Sequence, residues 1–429
     1  MRNLFVFIEQ NGQEIFVGNI IGDTSLDACF KYSEEYLSRP ESAPISVSLP
    51  LMEEKFSPEK TKIYFEGLLP EGFSRRSVAS WMKVDENDYL SILAGLGQEC
   101  LGAIRISEEG NTATWSGYEE LSLDQVKALA AEGATTATKM ITEAHLSLTG
   151  ATGKAGLYFN ETNKKWYLPR GLAPSSHIVK QSHVRYRAIV ANEQLCLLTA
   201  KKSGIPVPES FIINLGSAKD EDVLFATKRY DRAISPDGRL IDGNPVLTRL
   251  HQEDFSQALS IPASEKYERK GQAYLKSMFD IIRTHAANPI EDQLKLWDMI
   301  VFDFLIGNTD NHIKNFSFLY SRDLKTIKMT PAYDIVSTTV YSSSEHRELS
   351  LRIGESFYLG DTDFNSFRMA ASEIGLGEKM AMNRLNMLAE CFEQNLAEAS
   401  RELIDQGFGY TDEIRERILA SSGYRCLIK

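Results

Sequence analysis

The chain opens with a short apolar run ended by Glu9, and a second apolar run follows a polar turn. LFVFIEQ and EIFVGNI are rich in aromatic and β-branched residues and flank Asn11-Gly12, so residues 1–22 predict a β-hairpin. PISVSLPL (44–51) has the texture of a further strand. FEGLLPEGFSRRSVASWMKV and NDYLSILAGLG carry helical periodicity, and CLGAIRIS returns to strand. These pieces predict a small α+β subdomain over 1–110. A polar stretch follows, with Ser122 and Asp124 as helix caps before VKALAAE.

From 145 to about 230 the pattern is strand-rich: HLSLTGA, AGLYFN, KWYLPR, HIVKQS, SFIINL and VLFATKRYD. One helix, NEQLCLLTAKKSG, interrupts it, with Gly204 placed to cap its end. Beyond about 250 the pattern is helical, as in QAYLKSMFDIIRTHA, EDQLKLWDMIVFDFLIG and EKMAMNRLNMLAECFEQNLAEASRELI. The expected organisation is a small α+β subdomain (1–110), a β-rich lobe (111–231) and a helical lobe (232–429). A β-rich lobe followed by a helical one is kinase-like, with a nucleotide expected in the cleft.

Composition narrows the class. With 43% hydrophobic and 25% charged residues the chain reads as an ordinary globular protein. Its net charge of −12 makes it a poor autonomous nucleic-acid binder, so DNA would be met through a basic partner. The five cysteines lie far apart without a CxxC pair, which argues against zinc and a disulfide framework. No run has membrane-spanning length and the N-terminus lacks a basic leader, so a reducing cytoplasm is expected.

The chemistry concentrates in IGNTDNHIKNFSF. Asp310, Asn315 five residues on, and Asp334 in TPAYDIVS are what phosphoryl transfer needs. One carboxylate orients the attacking hydroxyl; an amide oxygen and a second carboxylate hold magnesium on the nucleotide phosphates. His312 and Lys314 flank the proposed base, and Lys314 is suited to charge developing on the phosphoryl group. Asp303, on the preceding apolar helix, reads as a buried acceptor. SLTGATGKAGLYF offers Gly150, Gly153 and Lys154 for a phosphate, although it is not a Walker A loop and also reads as a plain hairpin. Lys180 ends an apolar strand, where a lysine can neutralise phosphates. ATKRYDR has the look of an interlobe hinge, whose main chain would pair with adenine.

Together, YFEGLLPEG, SLTGATGK, LPRGLAPSSHIVK, NEQLCLLTAKKSGIPVP, ATKRYDR, RLHQEDFSQALSIPASEKYE, FLIGNTDNHIKNFS and MTPAYDIVS resemble the HipA family of serine/threonine kinases, toxins of bacterial toxin–antitoxin modules. The resemblance covers roughly residues 1–340. It implies a two-lobed, kinase-like α+β fold, use of ATP and Mg2+, and Asp310 as catalytic aspartate. It implies Asn315 and Asp334 as the magnesium pair, Lys180 on nucleotide phosphate, and Thr149, Gly150, Ala151, Thr152, Gly153 and Lys154 as the phosphate loop. It further implies Lys228, Arg229 and Tyr230 at the adenine hinge, Asp231 near the ribose, and Ser147 as an inactivating autophosphorylation site. The implied partners are a small DNA-binding, HipB-like antitoxin and a protein substrate such as an aminoacyl-tRNA synthetase. The family loop usually reads close to G-A-Q-E-K; here it is Gly150-Ala151-Thr152-Gly153-Lys154, less negative and richer in glycine. A contrasting reading is a catalytically weak corepressor that binds the antitoxin; a small-molecule kinase is disfavoured by the RLHQEDF…KYE block.

Overall fold

The computed structural model describes residues 2–108, 115–122, 125–126, 154–181, 186–341 and 347–427. The chain forms two compact units, each assembled from separated segments.

The first unit comprises residues 1–181, 226–263 and 318–327. Its N-terminal sheet contains β1 (Arg2–Gln10), β2 (Gln13–Gly22), β3 (Cys29–Tyr32) and β4 (Ile104–Glu108), in the order β3-β2-β1-β4. The period-two pattern of β1 puts Leu4, Val6 and Ile8 fully inside. Asn11 and Gly12 take φ of 54° and 77°, the left-handed pair that a type I′ hairpin requires. Helices Pro58–Glu66 and Gly72–Met82 pack nearby, the first capped by Ser57 with proline in its first turn. The expected helical pattern over 65–84 thus falls on two helices, separated around Leu69-Pro70. Proline lacks the N–H that an unbroken helix would need there.

The segment 44–51 is not the expected strand. A single bridge joins Ser46 and Leu49. Side chains, not a ladder, take its backbone groups: Val47 N–H donates to Glu253 Oε1 (3.0 Å), and the Ile45 carbonyl accepts from the Tyr64 hydroxyl (3.0 Å). Pro44 and Pro50 bracket the segment and cannot donate.

The second sheet runs β5-β7-β6-β8, with β5 (Ser116–Leu121), β6 (Lys154–Asn160), β7 (Lys165–Gly171) and β8 (His177–Gln181). The strand Val223–Lys228 follows β8 in sheet order. Behind it lies a buried ionic cluster. Glu99 accepts from Arg249 Nη2 (2.6 Å), Arg232 Nη2 (2.8 Å) and Arg229 Nη1 (3.3 Å), while Asp231 accepts from Arg229 Nη2 (2.7 Å) and Gly102 N–H (2.8 Å). Burial alone would raise the pKa of Glu99; the three guanidiniums outweigh it and hold the carboxyl well below its usual range.

The second unit comprises residues 182–225, 264–317 and 328–429 and is mainly helical. Its 28-residue helix Glu378–Asp405 packs on Ile189–Lys202 and Pro289–Leu305. Trp297, fully buried, donates Nε1–H to the Ala381 carbonyl at 3.0 Å. Among the described residues no helix is long and apolar enough to cross a membrane.

Candidate active site

The helix Pro289–Leu305 starts with proline in its first turn and ends at Ile306. Its buried residues are mostly apolar; Asp292 and Gln293 are buried in its first turns, and Asp303, 5% exposed, near its end. Asp303 is the buried acceptor expected: its Oδ1 takes the Asn308 amide N–H at 2.9 Å. Burial pushes its carboxyl up to about 7, against hydrogen bonds from Asn308 and Asn311 that lower it. Asn308 then turns its own oxygen to the Asp310 N–H at 3.1 Å. A buried acid thereby reaches the backbone of Asp310 through one amide.

Thr309, the next residue, is held on both sides. Its N–H donates to Thr338 Oγ1 (3.0 Å), Thr338 Oγ1 donates to the Gly307 carbonyl (3.0 Å), and the Thr309 carbonyl accepts from Ser350 Oγ (2.7 Å). Asp310 itself is exposed, on a loop whose neighbours on both sides are fixed. A short 3-10 turn, Ile313–Asn315, follows. Asn315 Nδ2 donates to the Asp310 carbonyl at 2.9 Å. With the nitrogen end of the amide so used, its oxygen is the atom suited to a hard cation. His312 and Lys314 are each 7% exposed and belong to the packed side of the loop.

The Asp334 segment is stitched to this loop. The Tyr333 hydroxyl donates to the Lys314 carbonyl (3.1 Å) and lies 2.5 Å from Ser317 Oγ, while Thr330 N–H donates to the Ser317 carbonyl (3.0 Å). From the other side Asn192, fully buried on helix Ile189–Lys202, donates to the Ser337 carbonyl (2.9 Å) and accepts its N–H (3.2 Å). Asp334 has φ of 58°. That left-handed conformation is uncommon outside glycine, and aspartate tolerates it better than most residues. The signal for Asn192 lay in NEQLCLL, where Asn192, Glu193 and Gln194 are all buried polar residues opening an otherwise apolar helix. Nothing local in the sequence announced Tyr333, Thr338 or Ser350.

The short helix Ser422–Arg425 closes against the same region. Gly423 lies so close to the Phe304 carbonyl oxygen that a Cβ there would collide with it.

In the first unit, Lys154 and Lys180 are direct cross-strand partners on β6 and β8. Partners in an antiparallel pair share a sheet face, so both half-buried lysines lie on the same face of the sheet. The hinge residues behave differently. Lys228 Nζ pairs with Glu161 Oε1 at 2.7 Å, and the Tyr230 hydroxyl donates to Gln252. The side chains of Arg229 and Asp231, expected among the nucleotide contacts, are instead consumed by the buried cluster, at 3% and 2% exposure. Once buried they stabilise each other only as a bonded pair. Part of the main chain is taken too: Arg229 N–H donates to the Ser176 carbonyl (2.9 Å) and the Asp231 carbonyl accepts from Leu250 N–H (2.8 Å). Ser147 and Thr149–Gly153 lie outside the described residues.

Comparison with known proteins identifies the family. Residues 11–107 match the HipA N-terminal domain and residues 146–396 the HipA-like C-terminal domain. A putative kinase of Sinorhizobium fredii, Y4mE, is 31% identical over 413 residues, spanning 95% of this chain and 94% of its own length. The serine/threonine-protein kinase toxin HipA of Shewanella oneidensis is 24% identical, spanning 91% of this chain and 88% of its own. A solved structure of the Shewanella oneidensis MR-1 HipA, HipB and operator DNA complex matches with a TM-score of 0.78 at 21% identity, over 98% of this chain and 97% of that one. That likeness shows the fold, the two-lobed, kinase-like α+β class that the sequence predicts. The chain belongs to the HipA family of kinases.

Proposed function

We propose that this chain is an ATP- and Mg2+-dependent protein serine/threonine kinase, the toxin half of a toxin–antitoxin pair. The observation that carries the reading is the exposed Asp310 on a loop pinned at Asn308 and Thr309, with the Asp334 segment bonded to that loop through Tyr333. Asp310 accepts the proton of the attacking serine or threonine hydroxyl; the new oxygen–phosphorus bond forms as the bond to the β-phosphate oxygen breaks, and ADP leaves. Asn315 and Asp334 offer the oxygen ligands that Mg2+ prefers. Magnesium would supply charge neutralisation on the phosphates. Lys154 and Lys180 add positive charge for the same phosphates, together with the loop from Thr149. Lys314, with His312 packed beside it in the loop, contributes electrostatic stabilisation, and the main chain of Lys228–Tyr230 meets the adenine.

The structure of the Shewanella oneidensis complex with HipB and operator DNA supports a HipB-like antitoxin as partner, with DNA met through it; the substrate we infer, a translation component such as an aminoacyl-tRNA synthetase, rests on the family resemblance alone. Autophosphorylation at Ser147 would place about −1.5 to −2 charges beside the phosphate loop and switch the enzyme off.

The test is phosphoryl transfer from labelled ATP with phosphopeptide mapping, alongside growth on expression of the chain alone. Wild type should incorporate phosphate, at Ser147 among other positions, and arrest growth. Asp310→Ala and Asp334→Asn should do neither. Asn is the better substitution at 334, because Ala at a left-handed φ costs about 1–2 kcal/mol by itself. Equal arrest by wild type and Asp310→Ala would reject kinase chemistry as the cause and favour the corepressor reading.

A further inference from the structure

The RLHQEDFSQALSIPASEKYE block has no catalytic logic as a sequence, yet its last residues reach the proposed base. The Tyr267 hydroxyl donates to Asp310 Oδ1 at 2.9 Å. Its ring stands edge-on to His312, with centroids 5.3 Å apart. Tyr267 is 46% exposed, so burial does not explain its placement. The next residue does. Glu268, 3% exposed, accepts from the N–H groups of Arg352 (3.0 Å) and Tyr274 (3.1 Å), and its own N–H donates to the Ser350 carbonyl (2.9 Å). Ser350 is the residue whose hydroxyl holds the Thr309 carbonyl. One strand therefore anchors both Tyr267 and the catalytic loop.

We propose that Tyr267 is a positioning residue for Asp310. Fixing Oδ1 of the Asp310 carboxylate sets the plane in which an acceptor hydroxyl approaches Oδ2. Such orientation is worth orders of magnitude in rate when the reacting atoms must align. Tyr267 makes this contact from outside the loop, through a rigid ring with only two rotatable bonds. The inference rests on Asp310 being the base.

The experiment uses the full chain and measures phosphate incorporated into the chain itself from labelled ATP with Mg2+, for wild type, Tyr267→Phe, Tyr267→Leu and Asp310→Ala. Tyr267→Phe keeps the ring against His312 and removes only the hydroxyl. It should lower the initial rate of incorporation at saturating ATP about tenfold or more, the worth of one hydrogen bond to a charged group, with the ATP concentration for half-maximal rate and the melting temperature unchanged. Tyr267→Leu should lose at least as much. A merely structural role would instead lower the melting temperature and leave the rate per folded molecule alone. A wild-type rate in Tyr267→Phe, with Asp310→Ala inactive, overturns the inference and leaves the kinase reading standing. A raised rate overturns it too, because the phenol would then be competing with the acceptor hydroxyl. Activity in Asp310→Ala, or no incorporation by wild type, defeats the kinase reading beneath it.

Discussion

Two regions of this molecule, one in each unit, solve the same problem, fixing an irregular segment, with opposite means. The hinge segment of the first unit is held by full charges: Glu9, Glu99 and Asp231 against Arg229, Arg232 and Arg249, three of each sign and out of water. The Asp310 loop of the second unit is held mainly by amides and hydroxyls from Asn308, Thr338 and Ser350, with one buried acid, Asp303, behind them and the Arg347 guanidinium on the Thr309 hydroxyl. A buried guanidinium beside Asp310 would compete for the carboxylate and repel an incoming magnesium ion. The Arg347 guanidinium reaches the Thr309 hydroxyl, at 3.4 Å. The segment 229–232 is instead bonded through full charges of its own.

The contrast breaks most visibly at Glu99. Glu99→Ala leaves three buried arginines without their shared partner and should cost about 3–5 kcal/mol, read by denaturant unfolding. A loss below about 1 kcal/mol would mean that water or backbone carbonyls already solvate those arginines, and the region would not be charge-held.

The two regions should also respond to pH with opposite sign. Glu99 has a lowered folded pKa, so its contribution is present above the ordinary carboxylate range and is lost as pH falls. Asp303 is raised from 3.8 to about 7, so the folded state binds the extra proton and its stability falls as pH rises from about 4 to 7. Full ionisation of Asp303 would cost at most about 4 kcal/mol at 1.36 kcal/mol per pKa unit. Asp303→Asn should therefore flatten the fall in stability measured from pH 5 to 8. It should not abolish it, because Glu253 and Glu268 also titrate near 7 for reasons of burial. An unchanged slope would show that Asp303 is ionised throughout.

The smallest effect sharpens the comparison. Thr338→Val keeps the shape and removes the hydroxyl that serves Thr309 and Gly307. It should cost about 1–2 kcal/mol of stability, yet lower phosphoryl transfer more than that figure suggests, because the loop carrying Asp310 loses its register. Activity per folded molecule equal to wild type would mean that the loop holds its place without Thr338.

What was legible in the sequence follows the range of the interactions. The hairpin at Asn11-Gly12 and the strand of Lys180 are set by neighbours a few residues away, so pattern reading found them. Asp310, Asn315 and Asp334 stood out because phosphoryl transfer demands those residue types in a short span. The segment 44–51 misled, since its texture is strand-like and what it bonds to, Glu253, lies some 200 residues on. Arg229 and Asp231 looked like nucleotide contacts because Glu99, which claims the guanidinium, is 130 residues away. Tyr267 was invisible for the same reason: a lone tyrosine carries no signal until folding sets it against Asp310. Consecutive blocks along the chain likewise say little of compact units built from three segments each.

Gly423 shows how far such dependence extends. Nothing near position 423 reads as chemistry, and it lies over a hundred residues beyond Asp310. Yet every side chain larger than hydrogen would push on the last turn of the helix that delivers the catalytic loop. In a saturation scan selected for growth arrest, position 423 should look as intolerant as the base itself. The two kinds of failure part only when soluble yield is scored beside phenotype: variants at 310 accumulate as inert, well-folded protein, whereas variants at 423 are lost before any reaction is attempted.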